Sequence, residues 1–286
     1  MEELRAEIRS FIMDTRTLPT LPGIVTKLNT LADNEKSSVQ EMARLVSSDQ
    51  ILSARILRLA NSPSYGFYRV ATISNAMILL GVDVVKSLVL SSSIFEIMEN
   101  SALGLWEHSL GAGVAANVIA KHLRLPDCEE IATAALLHDI GKVIIRLKLQ
   151  DEYDLLLGKA SQSGRALHEL ERETIGTDHA EVGGWLGKNW FLPEKLVVPI
   201  TCHHNVAAAS CHQVKTAVVH FADVLIKASG FGCGGDQFVP VIQPAAWNKL
   251  GMTEPLLEEI VEELEEKLVD SKNFSLEIQS TDETKT

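Results

Sequence analysis

Aromatic residues make up only 5% of this 286-residue sequence, and none of them is interleaved with Lys or Arg in a run. That removes the pattern of stacking rings and phosphate contacts by which many proteins hold single-stranded nucleic acid. Positive charge is also short. Against 38 Asp and Glu stand 26 Lys and Arg, a formal net charge of -12, which repels a phosphate backbone at long range. No nucleic-acid partner is expected. Cysteines are few as well: Cys128, Cys202, Cys211 and Cys233 include no C-x-x-C pair, so reduced thiols are expected rather than a disulfide framework. Cys202, beside His203, reads as a small buried apolar residue before a soft metal ligand.

Long uncharged apolar runs are missing. The longest apolar stretch, Ala76 to Met98, is interrupted by Asp83, Lys86, serines and Glu96, whereas a membrane-spanning helix needs about 20 nearly uncharged residues. No membrane partner is expected. Met1 to Arg9 is charged and Phe11 to Met13 is too short an apolar core for a secretory signal, which makes the cytoplasm the expected location. Strand-like alternation, internal repeats and a strand-to-helix nucleotide-binding unit are all absent.

What remains is helical. With 46% apolar and 22% charged residues the chain can bury a sizeable core. Between Ser37 and Asn61 the apolar positions Val39, Met42, Ala43 and Val46, then Ile51, Leu52, Ala54, Ile56, Leu57 and Leu59, recur at three and four residues. Asp49 is placed to cap the second of these helices. Leu18 to Gly23 reads as an extended lead-in, and Ile73 to Leu80 and Val84 to Leu90 as helices parted by a stop at Gly81. The second half predicts helices near 105–123, 129–145, 151–162, 166–174, 178–189, 193–204, 211–229 and 253–269, the last an acidic amphipathic helix. The expected organisation is all-α, with an N-terminal helical subdomain over 1–100, a second helical subdomain over 101–272 and a mobile polar tail over 273–286.

Chemistry concentrates in a spaced series: His108, the pair His138-Asp139, His179, the pair His203-His204, and Asp223. Neutral imidazole and carboxylate are the donors that hold Zn, Fe, Mn or Ni, and successive helices can deliver them to a two-metal centre. His138 and Asp139 interrupt an apolar helix, Ala134 to Ile145, where an unpaired carboxylate would be costly without a cation or a full set of hydrogen bonds. His108 and His179 are followed by small residues, Gly111, Ala112, Ala115 and Ala116 in one case and Gly183 and Gly184 in the other, which admit a close neighbouring helix. Asp178 reads as an N-cap or a support for His179. Asp223 is the ligand candidate on its helix, with His220 a supporting or core residue. Lys142, one turn after Asp139, is placed to hold a phosphate oxygen. His122, His168 and His212 read as ordinary surface or loop residues.

The string His138-Asp139-Ile140-Gly141-Lys142, with His108 before it and His179, His203-His204 and Asp223 after it, resembles the HD superfamily of metal-dependent phosphohydrolases, particularly its HD-GYP branch. The first half is similar to the HDOD domain, through Leu18 to Gly23, Ser47 to Ser62, Tyr65-Gly66, Ile73 to Ala76 and Leu80-Gly81. Together these resemblances span most of residues 15 to 230. They imply the HDOD fold, an N-terminal helical bundle packed on an HD-like subdomain, in a bacterial signalling protein. They also imply that His108, His138, Asp139 and Asp223 hold one divalent metal and His179, His203 and His204 a second, with Asp139 bridging. Many HDOD members have lost these ligands; this sequence retains them. From HD-GYP enzymes it departs twice: Asn205 to Gln213 contains no Gly-Tyr-Pro segment, and Gly104 stands where trinuclear variants place a glutamate. Both departures argue against a third metal and against cyclic di-GMP as substrate.

Two functions follow. One is a signal-transduction module of HDOD type that binds a dinuclear metal centre and a signalling protein partner. The other is a phosphohydrolase or phosphodiesterase acting on a nucleotide or cyclic dinucleotide, with Asp139 and Lys142 as its catalytic residues.

Overall fold

The computed structural model describes residues 1–13, 31, 38–46, 60, 73–81, 84, 104–189 and 194–283. The expected lead-in at 18–23, the Asp49 cap, the helix at 84–90 apart from Val84 and the string from 49 to 61 apart from Ala60 lie outside these. Among the described residues the chain is α-helical with one short 3-10 turn at Val206–Ala208. No helix there is long and apolar enough to cross a membrane. The four cysteines are free.

The chain groups into two compact units, one of residues 16–97 and 273–286 and the other of 1–15 and 98–272. In the first, helices Val39–Val46 and Ile73–Leu80 (here α2 and α3, after α1 at Glu2–Met13) pack on each other, and Met42 and Ala43 of α2 and Ala76, Met77 and Leu80 of α3 are buried. The start of α2 is a reciprocal cap: Glu41 N–H donates to Ser38 Oγ at 3.2 Å and Ser38 N–H to Glu41 Oε2 at 2.9 Å. Gly81, at φ 83°, ends α3 in the left-handed conformation that the predicted stop requires.

The second unit carries α4 (Leu105–His122), α5 (Cys128–Leu137), α6 (Ile140–Lys148), α7 (Gln150–Ser163), α8 (Leu167–Ile175), α9 (His179–Asn189), α10 (Glu194–Cys202), α11 (Gln213–Ser229) and α12 (Pro244–Leu250). Helix α13 runs from Glu254 to Glu283 across the boundary of this grouping. Its expected end was 269; no proline or glycine between Leu256 and Glu283 stops it. Helix α11 is buried continuously from Thr216 to Ile226 and touches α4, α5, α10 and α12, so it is the axis of this unit. Helix α1 belongs here too: Arg5 pairs with Glu181 at 2.5 Å, both Arg5 and Arg9 lie over the Trp185 ring, and Asn189 donates to Ile12 O at 3.0 Å.

Two differences from the sequence expectation matter. The single helix expected over 129–145 is two, broken at His138-Asp139, where Asp139 takes φ -96° and ψ 7° and both side chains leave the helix axis for the interior. Helix α12 was not expected, although Pro244 at its first position and Gly251 after its end, at φ 59°, are its sequence signals.

Candidate metal centre

Glycine sets the spacing of the helices that carry the site. A Cβ on Gly141 would lie 1.9 Å from the His179 carbonyl oxygen, so α6 presses directly on the start of α9. On α9's other side a Cβ on Gly184 would lie 2.1 Å from Thr201 Oγ1 of α10. Helix α6, which follows Asp139, is thereby held at backbone contact with α9, which begins at His179, and α10, which precedes His203, lies against Gly184 through the Thr201 side chain.

All seven ligand candidates converge. His108 Nε2 lies 3.2 Å from Asp223 Oδ1, 3.4 Å from Asp139 Oδ2 and 3.3 Å from His138 Nε2. His138 Nε2 is 3.3 Å from Asp139 Oδ2 and 3.5 Å from Asp223 Oδ1. The other oxygen of Asp139 faces the second set: Oδ1 is 3.1 Å from His179 Nε2 and 3.9 Å from His203 Nε2. His204 Nε2 approaches His179 Nε2 to 2.7 Å. Ligand atoms lie within 4.8 Å of one another in each of three groups: His108, His138 and Asp223; His179, His203 and His204; and His138, Asp139 and His203. Asp139 sits where the sets meet, one oxygen toward each.

The histidines are oriented from behind. His138 Nδ1–H donates to Ala135 O at 2.6 Å and His203 Nδ1–H to Ile200 O at 2.7 Å. His179 Nδ1–H donates to Glu171 Oε2 at 2.6 Å. A carbonyl or carboxylate oxygen only accepts, so each ring carries its hydrogen on Nδ1 and in its neutral form turns the Nε2 lone pair inward. This is the support that metal-ligating imidazoles receive. Glu171 is itself held by Tyr153 O–H at 2.8 Å and also accepts the His179 backbone N–H at 2.8 Å. His220, the supporting residue of α11, donates from Nδ1 to the His203 carbonyl at 2.8 Å and accepts the Gln243 N–H on Nε2 at 3.0 Å. Asp178 caps α9 by accepting the Glu181 N–H at 2.8 Å.

Lys142 is buried, not a solvated helix-end lysine: its Nζ donates to Asp139 Oδ2 and to the Gly234 carbonyl, each at 2.6 Å. Lys227, one turn after Asp223, stands 3.5 Å from Asp223 Oδ2. Burial resists ionisation of both carboxylates, yet His138, Lys142 and His179 around Asp139, and Lys227 with His108 and His138 around Asp223, outweigh it and hold both well below the usual carboxylate range. Burial likewise opposes charge on His138, but Asp139 and Asp223 push it up to about 9. His203 and His204 are driven down by burial and by their imidazole neighbours.

The donors fit a cation. Asp139 Oδ1, His203 Nε2 and both oxygens of Asp223 are buried with no hydrogen-bond partner among the described residues, a costly condition that a metal ion would relieve. Neutral nitrogen and anionic oxygen at these positions suit a divalent transition metal.

Sequence reasoning passed over four contributors. Glu171 falls on the apolar face of α8 with Leu167, Leu170 and Ile175, a misplaced carboxylate that was the available signal. Tyr153 and Lys227 carry no motif. His168, read as an ordinary residue, stacks on His204 with ring centroids 4.0 Å apart, and burial, then His179, lowers it to about 4.

Comparison with known proteins agrees with this architecture. A solved HDOD domain protein of unknown function from Geobacter sulfurreducens superposes with a TM-score of 0.74 at 28% identity, covering 94% of this chain and 96% of that one. A Shewanella amazonensis SB2B protein provisionally named a phosphohydrolase shares the fold, with a TM-score of 0.65 at 24% identity over 91% and 98% of the two chains. An uncharacterized protein of Treponema pallidum (strain Nichols) is 26% identical over 233 residues, 79% of this chain but only 44% of that protein. The HDOD domain family model matches residues 18–206 of the 286, and the chain belongs to that family.

Proposed function

We propose that this protein is a bacterial signalling module of HDOD type whose buried cluster binds two divalent metal ions. His108, His138, Asp139 and Asp223 would hold one, and His179, His203 and His204 the other, with Asp139 shared. The observation that carries the reading is Asp139, whose two oxygens face two histidine sets while Asp139 Oδ1, His203 Nε2 and Asp223 lack hydrogen-bond partners among the described residues. Bound metals supply Lewis-acid charge and a water of lowered pKa to whatever lies against them. The chain's own residues fix imidazole orientation through Ala135, Ile200 and Glu171 and exclude bulk water from the cluster. The module acts in the cytoplasm through a signalling protein partner. Elemental analysis of protein purified without chelator tests it: about two metal equivalents are expected for a dinuclear site, with a large loss in Asp139→Ala, and metal-free protein sinks the reading.

A second reading, a metal-dependent phosphohydrolase of nucleotides or cyclic dinucleotides, is favoured by one feature, a lysine ammonium held 2.6 Å from the shared carboxylate. Lys142 would hold a phosphoryl oxygen and Asp139 would position the metals. The module reading stands ahead because that ammonium is already engaged by the Gly234 carbonyl and the ligand side chains other than His204 are buried. Metal-dependent release from a panel of linear and cyclic phosphodiesters that vanishes in Asp139→Ala would promote the second reading; silence across the panel removes it.

A further inference from the structure

Outside the buried cluster, three donors of different chemistry meet at the surface: the Glu194 carboxylate at the start of α10, the Cys211 thiol in the turn before α11, and the His212 imidazole at the N-cap position of that helix. One ligand atom from each lies within 4.8 Å of the other two. Cys211 is half-buried, and Glu194 and His212 are exposed. The group shares no residue with the cluster of seven, and it contributes what that cluster lacks, a sulfur donor.

The chain has to turn sharply to gather them. Neighbouring side chains on an extended chain point to opposite sides and would not serve one ion. His212 takes φ 51° and ψ 30°, the left-handed conformation in which histidine is over-represented, and this turn lets Cys211 and His212 share a side. None of the three side chains is spent elsewhere. The imidazole makes no cap hydrogen bond to the helix it precedes, and Lys195, next to Glu194 in sequence, pairs with Glu130 instead. Among the described residues no hydrogen bond or ion pair engages the side chain of Glu194, Cys211 or His212, not even between the three. They stand apart around a common point, and metal–ligand bonds of about 2.0–2.3 Å bring three such atoms onto one ion by side-chain rotation alone.

We propose that Glu194, Cys211 and His212 form a second metal site, which takes an exchangeable Zn2+-class ion at the surface with water completing the coordination. Thiolate with imidazole selects Zn2+, Co2+ or Cd2+ over Mg2+ and Ca2+, which take oxygen donors. Facing solvent with three protein ligands, the site empties on desalting, so purified protein still carries the two ions of the buried cluster. When filled, it closes a ring from Glu194 to Cys211 that contains His203 and His204. An exchangeable ion thus pins both ends of the segment that delivers two ligands of the buried cluster.

The test is Co2+ titration of the full reduced chain. A thiolate ligand adds a near-ultraviolet sulfur-to-cobalt charge-transfer band, which the buried cluster, having no thiol, does not produce. The band should appear in wild type, persist in Asp139→Ala and in Cys202→Ser, which removes the other thiol within electrostatic reach of Cys211, and vanish in Cys211→Ser. Glu194→Gln and His212→Asn, the latter able to keep the left-handed turn, should each weaken Co2+ binding at least about tenfold, since even groups that only support a ligand are worth that much. A readout on unmutated protein stands beside these: Zn2+ should slow alkylation of Cys211, followed by mass spectrometry, and a chelator should restore it. No band in wild type, a band that survives Cys211→Ser, unchanged affinity in both Glu194→Gln and His212→Asn, or Cys211 alkylation indifferent to Zn2+ overturns this site and leaves the buried cluster standing. Purified protein that holds no metal yet develops the band sinks the dinuclear centre and leaves this site standing.

Discussion

Asp139 shares its two oxygens between two histidine sets, and His138 shows what that geometry does to a neighbour. Burial opposes charge on His138, yet Asp139 and Asp223 raise it from 6.5 to about 9. A histidine whose folded value is raised stabilises the fold fully below its unfolded value and ceases to as pH climbs through the folded one. Chelator-treated protein should therefore lose melting temperature between about pH 6.5 and 9, and His138→Gln should show a shallower loss over the same range; parallel curves would refute the assignment. Metal binding must displace that proton, so metal affinity should rise over the same window. Glu171 offers a second residue-level test. It fixes the His179 tautomer from a buried position with Tyr153 behind it, so Glu171→Gln should lower metal affinity about 10- to 100-fold while Glu171→Asp recovers part of it. Equal affinities in a competition titration would show that Glu171 serves packing alone. The seven donors were legible in the sequence because histidine and aspartate on apolar helices have no cheap alternative to mutual contact. Glu171, Lys227 and His168 were not, because a glutamate, a lysine and a histidine among many declare their burial only through the helices packed over them.

Helix α9 receives α6 on one side and α10 on the other, and both contacts depend on glycine. Gly184→Ala would press a methyl to 2.1 Å from Thr201 Oγ1 and 3.2 Å from its Cβ, an overpacking expected to cost about 1–3 kcal/mol in chemical denaturation. Adding Thr201→Ala should recover most of that loss, since the two changes share one contact; additive losses in the double-mutant cycle would place the strain elsewhere. Gly158 is the control, with nothing within 4 Å of its Cβ position in the exposed face of α7, and Gly158→Ala should stabilise by about 0.4–1 kcal/mol. Most helices of the second unit were readable from three-and-four spacing. The break at 138–139 was not, because Leu136 to Ile145 keeps a helical apolar pattern straight through it, and only the non-helical backbone at Asp139, which turns two ligand candidates into the interior, shows that the axis stops. Nor was the packing of α1 on α9: the buried pair Ile8 and Ile12 announces a face without naming what covers it.

At the scale of the whole molecule two accounts of the buried charges compete. In one, Lys142 and Lys227 neutralise Asp139 and Asp223, and the fold needs no metal. In the other, the ammonium groups leave two Asp223 oxygens, Asp139 Oδ1 and His203 Nε2 without hydrogen bonds, and metal completes them. Chelation decides between these, because every candidate ligand lies in the unit of residues 1–15 and 98–272 and so do all four tryptophans, Trp106, Trp185, Trp190 and Trp247. Tryptophan fluorescence therefore reports the melting of the unit that holds the cluster and is silent on residues 16–97. Free metal at one hundred times its dissociation constant adds about 2.7 kcal/mol to the native state, and a unit of this size shifts by about 2–4 °C per kcal/mol. Stripping metal should thus lower the fluorescence midpoint by about 5–10 °C, with recovery on adding back Mn2+ or Zn2+ but not Mg2+, which prefers oxygen donors and its own water shell. An unchanged midpoint, with elemental analysis showing the metal gone, would mean that the two lysines suffice, and that the histidines are kept together by packing alone.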